Sequence, residues 1–107
     1  MRDWVRLHRR AWREFRAALV WYEAQEPGLG GRLWDDVDGM LDRVADRELP
    51  GMSVDTRLPN RKLEKAFTPT FQYTIYYEWT GEVCRVWAIA HQSRRPGYWA
   101  GRLRGAP

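Results

Sequence analysis

The first half of the chain has a helical spacing of apolar residues. Residues 3–8 alternate only partly between polar and apolar side chains, which predicts a short first strand. A helix is predicted from Arg10 to Gln25, with one apolar face made by Ala11, Trp12, Phe15, Ala18, Leu19 and Tyr22. Pro27 and the glycines around it break this helix. A second helix is predicted from Leu29 to Arg47, with a buried stripe of Leu29, Leu33, Val37, Met40, Leu41 and Val44. Because the link is short, we expect an antiparallel helical hairpin.

The second half of the chain changes to the two-residue period of strands. Residues 48–60 combine proline, glycine and polar residues without periodicity, which predicts a surface loop. Strands are then predicted at 61–67, 71–79 and 82–91, with a tight turn at "TGE" that joins the last two into a hairpin. The expected order is β-α-α-β-β-β. This order predicts an α+β fold in which the helical hairpin packs on one face of a small, mostly antiparallel sheet.

Alternation along the last two strands predicts which side chains face the helices. In the first of them the helix-facing residues are Phe71, Tyr73, Ile75, Tyr77 and Trp79. The second face then receives Gln72, Thr74, Tyr76 and Glu78. In the last strand the small residues Cys84, Val86, Ala88 and Ala90 fit beneath the helices, which leaves Arg85, Trp87, Ile89 and His91 on the second face. This second face is predicted to bind a partner, to be covered by the C-terminal tail, or both.

Length and composition indicate one compact cytoplasmic unit. The 107 residues suffice for a single domain, predicted to span 1–107. Seven Trp and five Tyr exceed what one small core requires, so we expect some rings at a surface that a partner covers. The single Cys84 has no internal disulfide partner, which favours a reducing cytoplasm. No apolar run approaches the roughly 18 residues of a membrane span, so no membrane association is expected.

Charge is unevenly distributed along the chain. Residues 1–20 hold six Arg against two acids, residues 21–59 hold nine acids against four Arg, and residues 60–107 hold eight basic residues against three acids. The two basic ends favour an anionic partner, either nucleic acid or an acidic protein segment. Sixteen of the eighteen basic residues are Arg, a bias that GC-rich coding alone can produce. The distribution of charge along the chain is therefore better evidence for an anionic partner than the total number of basic residues.

The chain lacks the residue patterns of several common functional sites. Two His and one Cys do not make a zinc site, and no carboxylates follow them at a metal-ligand spacing. "GLGG" follows a helix and opens an acidic one, unlike a phosphate-binding loop. Ser53 and Ser93 stand in no recognisable nucleophile elbow. We therefore predict neither a metal nor a cofactor.

The remaining candidates lie at the end of the last strand, in "AIAHQSRRPGYW". They are His91, Arg94, Arg95, Tyr98 and Trp99, with Arg61, Lys62 and Lys65 on another strand. These residue types can hold a phosphate, stabilise an extra negative charge and stack on a base, and they can equally bind acidic protein. Pro96 and Gly97 are expected to turn the chain. The alternative for this stretch is a solvated turn in which Trp99 pins the C-terminus.

The whole pattern resembles a known family. The order β-α-α-β-β-β, the joint "WYEAQEPGLGGRLWDDV", the strand "FQYTIYYEW" and the ending "AIAHQSRRPGYWAGR" are together similar to the RelE/ParE superfamily of toxins from type II toxin-antitoxin modules. The resemblance covers nearly the whole chain. It implies a small basic toxin of the plasmid-stabilisation type, neutralised by a labile antitoxin whose acidic or amphipathic segment wraps it.

The superfamily has two activities, and the sequence has features of both groups. RelE-like members cut messenger RNA in the ribosome with strand lysines, an arginine and a C-terminal aromatic. In this chain Arg95 matches the arginine, and Tyr98 or Trp99 matches the aromatic. Lys62 or Lys65 matches the strand lysines, and His91 has the chemistry of a base near neutral pH. Thr74 stands where a nuclease is expected to carry a strand arginine. This departure favours the ParE-like members, which are not enzymes and poison DNA gyrase.

The resemblance also assigns surfaces to partners. Candidate target-binding residues are Arg61, Lys62, Lys65, His91, Arg94, Arg95, Tyr98 and Trp99. Candidate antitoxin-binding residues are Tyr76, Arg85, Trp87 and Ile89. The nuclease alternative has Lys62, Lys65, His91, Arg95 and Tyr98 as its catalytic candidates. A third alternative is a nucleic-acid-binding or protein-binding module without toxicity.

Overall fold

A computed structural model describes residues 2–46, 51–95 and 97–104. Its elements are β1 (Val5–Leu7), α1 (Arg9–Gln25), α2 (Leu29–Ala45), β2 (Met52–Val54), β3 (Leu63–Phe67), β4 (Tyr73–Thr80), β5 (Val83–His91) and a short 3₁₀-helix (Ala100–Arg104). The five strands form one sheet in the order β1-β5-β4-β3-β2, in which only the β1–β5 pair is parallel. The α+β class and the mostly antiparallel sheet are confirmed.

One element differs from the predicted order. The range 48–60 was expected to be loop, yet it contains β2, so the observed order is β-α-α-β-β-β-β. Residues 47–50, including the predicted end of the second helix at Arg47, lie outside the described residues. Strand β2 is three residues long, lies at the sheet edge and pairs only with β3. A strand this short has no alternation to detect, because its partner strand holds it in place.

Local hydrogen bonds fix the two helices. His8 caps α1: its Nδ1 accepts the backbone N–H of Arg10 at 3.1 Å. The Glu23 carboxylate near the end of α1 accepts the backbone N–H groups of Gly28 and Gly30, at 2.9 and 3.0 Å, and so closes the turn into α2. A Cβ at Gly30 would lie only 2.7 Å from the carbonyl oxygen of Leu19, so the helices meet through a bare glycine. Neither helix is long and apolar enough to cross a membrane.

The main core lies between the helices and one face of the sheet. Its fully buried members include Phe15 of α1, Leu41 of α2 and Ile75 of β4, each 0% exposed. The thiol of Cys84 is buried with them, and burial raises its pKa to about 12. The predicted helix stripes are confirmed except at two positions: Trp12 is 42% exposed, and Leu29, at the first turn of α2, is only partly buried and outside both core clusters.

A β-bulge in β5 changes which residues face the helices. Tyr77 pairs with Val86 and Tyr76 pairs with Ala88, so Trp87 is an extra residue between the two pairs. Before the bulge, Cys84 and Val86 lie in the main core as predicted. After it the alternation is inverted: Ile89 lies in the main core and Ala88 on the second face, opposite to the prediction. Ala90 and His91 are inverted with them, although His91 also borders the second face.

The C-terminal segment covers the second face of the sheet. Trp99 and Leu103 pack on Leu63, Trp87 and Ala88 in a second buried cluster. Of the two predicted outcomes for this face, the structure shows coverage by the tail. Two polar residues of this face, Thr74 and Glu78, are consequently 4% and 6% exposed.

An ion pair stabilises this covered face. Arg61 Nε and Nη2 each donate to the Glu78 carboxylate at 2.7 Å, and Arg61 Nη1 donates to the carbonyl of Leu103 at 3.1 Å. The indole of Trp87 donates to the same carboxylate at 3.1 Å. These contacts hold the pKa of Glu78 below its usual range, chiefly through the hydrogen bond from Arg61. Arg61 therefore ties the C-terminal segment to the sheet.

Candidate functional site at the end of the last strand

A small cavity lies where β5 ends. It encloses about 200 Å³. Its lining residues are Phe67, Thr74, Tyr76, Ala90, His91, Gln92, Arg94, Arg95 and Tyr98. Four of the predicted site residues, His91, Arg94, Arg95 and Tyr98, thus surround one space. They come together because the chain reverses after β5, with a hydrogen bond of 2.9 Å from the Arg94 N–H to the His91 carbonyl.

His91 is held in a defined orientation. Its ring packs edge-on against Tyr73, with 5.4 Å between the ring centroids. Its Nδ1 accepts the backbone N–H of Ser93 at 3.2 Å and lies 2.8 Å from the Ser93 hydroxyl. In a neutral imidazole that accepts at Nδ1, the proton is on Nε2. Neutral His91 therefore offers a hydrogen-bond donor rather than the free lone pair that a general base requires.

The two arginines carry the charge of the site. Both are exposed. The Arg94 guanidinium lies 4.1 Å from the centroid of the Tyr98 ring, a cation–π contact, and 3.7 Å from a Glu14 carboxylate oxygen. Arg95 forms no ion pair within residues 2–46, 51–95 and 97–104. A guanidinium without a carboxylate partner is available to bind phosphate or carboxylate from outside the chain.

Tyr98 contributes a neutral aromatic ring to this surface. Its side chain is half-buried, and burial, with the neighbouring Glu14 carboxylate, raises its pKa to about 12. The phenol is therefore neutral at physiological pH. Arg102 lies on the same ring, 5.1 Å from its centroid, and pairs with Glu14 at 2.5 Å. The ring thus contacts two guanidinium groups, those of Arg94 and Arg102.

The structure separates the remaining target-binding candidates. Lys65 lines a different cavity, beside Met40 and Met52, although its Nζ lies 5.5 Å from the ring of Phe67, which lines both cavities. Lys62 is exposed but lies at a third cavity, beside Arg61 and Arg85. Arg61 is engaged in its pair with Glu78. Trp99 is 3% exposed and belongs to the second cluster, so it is a packing residue.

The predicted antitoxin-binding surface is largely buried. Ile89 and Trp87 are 2% and 4% exposed, and the ring of Tyr76 lies under Trp99, with 4.6 Å between centroids. The expectation that Ile89 and Trp87 lie open on the second face is therefore wrong. The bulge turns Ile89 inward, and the C-terminal segment covers Trp87. Arg85 remains half-buried at the edge of this face.

An exposed apolar surface lies elsewhere, on the outer side of α1. Trp12, Val20 and Trp21 are 42%, 63% and 58% exposed. With Arg13, Arg16, Ala17 and Ala24 they line a shallow depression. Sequence reasoning missed this surface, although the signal is present in the run "AALVWY". A run of six apolar residues surrounds a helix, so one buried face does not cover it.

No metal site is apparent in this part of the molecule: among the described residues, no three His, Cys, Asp or Glu side chains cluster closely enough to hold an ion. Comparisons with protein-family models, with curated proteins and with solved structures gave no match. We therefore infer function from the site geometry and from the sequence resemblance.

Proposed function

We propose that the chain is a ParE-like toxin of a type II toxin-antitoxin module, which inhibits growth by poisoning DNA gyrase and is neutralised by a cognate antitoxin. One observation carries this proposal: Arg94 and Arg95 are both exposed at the end of β5, and the Arg94 guanidinium lies on the Tyr98 ring. Such a surface binds an anionic group of a macromolecule without needing chemistry of its own.

Three features of the site favour binding over catalysis. Thr74, at the position where the nuclease pattern has an arginine, is 4% exposed and lines the cavity as a neutral side chain. Neutral His91 is a donor because Ser93 occupies its Nδ1. Tyr98 has a pKa of about 12, so it does not take up a proton from a ribose hydroxyl at neutral pH.

A RelE-like, ribosome-dependent endoribonuclease is the second candidate. It is favoured by the grouping of His91, Arg94, Arg95 and Tyr98 around one cavity, with Lys65 Nζ 5.5 Å from the ring of Phe67, which also lines it. In that function the arginines would stabilise the extra negative charge on the cleaved phosphate. His91 would then have to act in its protonated form, as an acid.

The outer face of α1 supports a protein partner. Its exposed Trp12, Val20 and Trp21 form the apolar part, and Arg13 and Arg16 give the same depression a positive charge. An acidic, amphipathic segment complements both properties. A second copy that docked through this same face would instead oppose these arginines with like charges. We therefore assign this face, rather than the covered face of the sheet, to the antitoxin.

The target is tested with purified protein on two substrates in parallel. We expect inhibition of DNA gyrase supercoiling and no cleavage of ribosome-bound message. Arg94→Ala with Arg95→Ala should abolish the inhibition and leave the Tm nearly unchanged, because exposed charges contribute little to stability. Arg32→Ala, a change at another exposed arginine, is the matched control and should retain activity.

The outcomes separate the candidate functions. Cleavage of the message without an effect on gyrase would replace the proposal by the nuclease function. A folded double arginine variant that still inhibits gyrase fully would show that the end of β5 is only a turn. If expression of the chain does not affect growth and neither assay responds, the third candidate, a binding module without toxicity, is correct.

The antitoxin surface has its own experiment. The product of the neighbouring reading frame, expected to be a small acidic protein, is titrated against the chain by calorimetry. Trp21→Glu should weaken binding at least tenfold, because it places a negative charge in the apolar part of the surface. Arg104→Glu, which introduces a glutamate at an exposed residue away from α1, is the control. Equal binding by both variants would exclude this face as the interface.

A further inference from the structure

A second basic cavity lies at the opposite edge of the second sheet face, between β1, β5 and the start of α1. It encloses about 560 Å³. Its nine lining residues are Arg6, Leu7, His8, Arg9, Thr80, Val83, Arg85, Val86 and Trp87. Three of them are arginines and none is acidic. The positive charge of this cavity is therefore not balanced by its own walls.

The sheet register places two of these arginines directly side by side. Arg6 of β1 is the register partner of Arg85 of β5. Like charges opposite each other on neighbouring strands destabilise a sheet unless something neutralises them. Glu78, the register partner of Arg85 on the other side, has its carboxylate occupied by Arg61 and Trp87.

The arginines instead use weak or neutral partners. The Arg85 guanidinium lies 5.2 Å from the centroid of the Trp87 ring. Arg6 Nη1 donates to the backbone carbonyls of Asp3 and Val5. In the described part of the chain, neither of these residues nor Arg9 forms an ion pair. All three arginines thus line the cavity without a carboxylate partner among these residues.

The start of α1 adds two further features that favour an anion. The helix begins at Arg9, which lines the cavity, so the positive end of the helix dipole lies at this wall. His8 is 5% exposed, and its Nδ1 accepts the Arg10 N–H. The proton is therefore on Nε2, which has no hydrogen-bond partner among the described residues. Burial, followed by the charges of Arg102, Arg9, Arg10 and Arg85, lowers the pKa of His8, so the ring is a neutral donor.

We propose that this cavity binds a phosphate group of a single-stranded polynucleotide. A phosphate oxygen pair matches the planar fork of arginine, and the N–H donors of His8 and of the first turn of α1 suit the remaining oxygens. This site is separate from the end of β5, and its phosphate binding does not depend on the proposed toxin function.

A neighbouring cavity favours a polymer over a free phosphate. This neighbouring cavity encloses about 470 Å³ and shares Thr80, Arg85 and Trp87 with the 560 Å³ cavity. Its lining also includes Lys62 and Arg61. Its one lining acid, Glu78, is neutralised by Arg61. Positive charge therefore continues from Arg9 through Arg85 to Lys62, which fits successive phosphates of an extended strand.

The experiment measures binding to the full chain. A fluorescently labelled ten-nucleotide single strand is titrated by anisotropy at several salt concentrations, and inorganic phosphate and a nucleoside monophosphate are titrated by NMR. The test variants are Arg9→Ala and Arg85→Gln; the controls are Arg13→Ala, on the outer face of α1, and Arg32→Ala. Each test variant should weaken oligonucleotide binding about tenfold. The slope of log K against log salt should become less negative by about 0.7 for each phosphate that the variant no longer neutralises.

The result has clear alternatives. NMR shifts on phosphate addition that centre on His8 and Arg9, together with much tighter binding of the oligonucleotide, would support the full proposal. Binding of the small phosphates with no gain for the oligonucleotide would overturn the polynucleotide as the source of the phosphate. Oligonucleotide binding that both test variants retain, or no binding by any of the three ligands, would overturn the site itself.

Discussion

Replacement of Trp99 by alanine tests whether the C-terminal segment is part of the fold. The Trp99 ring is 3% exposed and packs against Tyr76, Trp87 and Leu103. A Trp side chain buries about 150–250 Å², which at about 25 cal/mol per Å² corresponds to about 4–6 kcal/mol. A compact unfolded state lowers this value by roughly 10–40%.

One feature of Trp99 reduces the expected loss. Its Nε1 is buried and has no hydrogen-bond partner among the described residues. An unpaired buried N–H costs about 1–3 kcal/mol, which Trp99→Ala removes together with the ring. We therefore expect a loss of about 3 kcal/mol in the free energy of unfolding, at the lower end of the range for buried aromatic residues. This is a large fraction of the about 5–15 kcal/mol that stabilises a typical domain.

Urea denaturation measures this loss. The midpoint should fall while the slope of the transition stays the same. Trp21→Ala is the matched control, because Trp21 is 58% exposed and its loss should change the free energy of unfolding by less than about 0.5 kcal/mol. Equal midpoints for the two variants would refute the packing of Trp99 on the sheet. They would also reopen the second face as a surface for partners.

Three further changes test other contacts. Glu78→Gln should lower the free energy of unfolding by about 1–3 kcal/mol at neutral pH, as judged by urea denaturation. Because the folded-state pKa of Glu78 lies below the usual 4.5, this difference should shrink as the pH falls through that folded value. His8→Asn keeps a helix-capping residue at this position. Because the folded-state pKa of His8 lies below 6.5, the wild type should lose stability through His8 protonation as the pH falls below 6.5, and the variant should not. Parallel curves of unfolding free energy against pH would contradict this. Gly30→Ala should lower the Tm because its Cβ meets the α1 backbone, whereas Gly39→Ala, which meets nothing within 4 Å, should not.

The elements that sequence predicted well are those with a long, regular pattern. Helices α1 and α2 have 17 residues each, and their apolar stripes are repeated often enough to define a face. The hairpin of β4 and β5 has long strands and a two-residue turn, in which Gly81 has a φ of 64°. Strand β2 has three residues and no comparable signal. Its position depends on pairing with β3, which is a long-range property.

The two candidate sites also differ in how far sequence alone predicts them. His91, Arg94, Arg95 and Tyr98 come together largely because they are close in the chain, so sequence alone grouped them. The pairing of Arg6 with Arg85 joins the first strand to the last and depends on a parallel register that no local pattern specifies. The different positions of Lys62 and Lys65 follow from where β3 begins, at Leu63.

The bulge at Trp87 divides β5 into two halves that border different basic cavities. Without it, strict alternation would place Ile89 on the second face and the small Ala88 and Ala90 beneath the helices, as the sequence pattern predicts. With it, Ala88 lies on the second face, where its small side chain lets Trp99 pack against the sheet, and Ala90 lines the cavity at the end of the strand. The half of β5 before the bulge keeps Arg85 beside β1, and the half after it leads to the arginines at the strand end. One extra residue therefore allows a single strand to carry a packed tail between two positively charged surfaces.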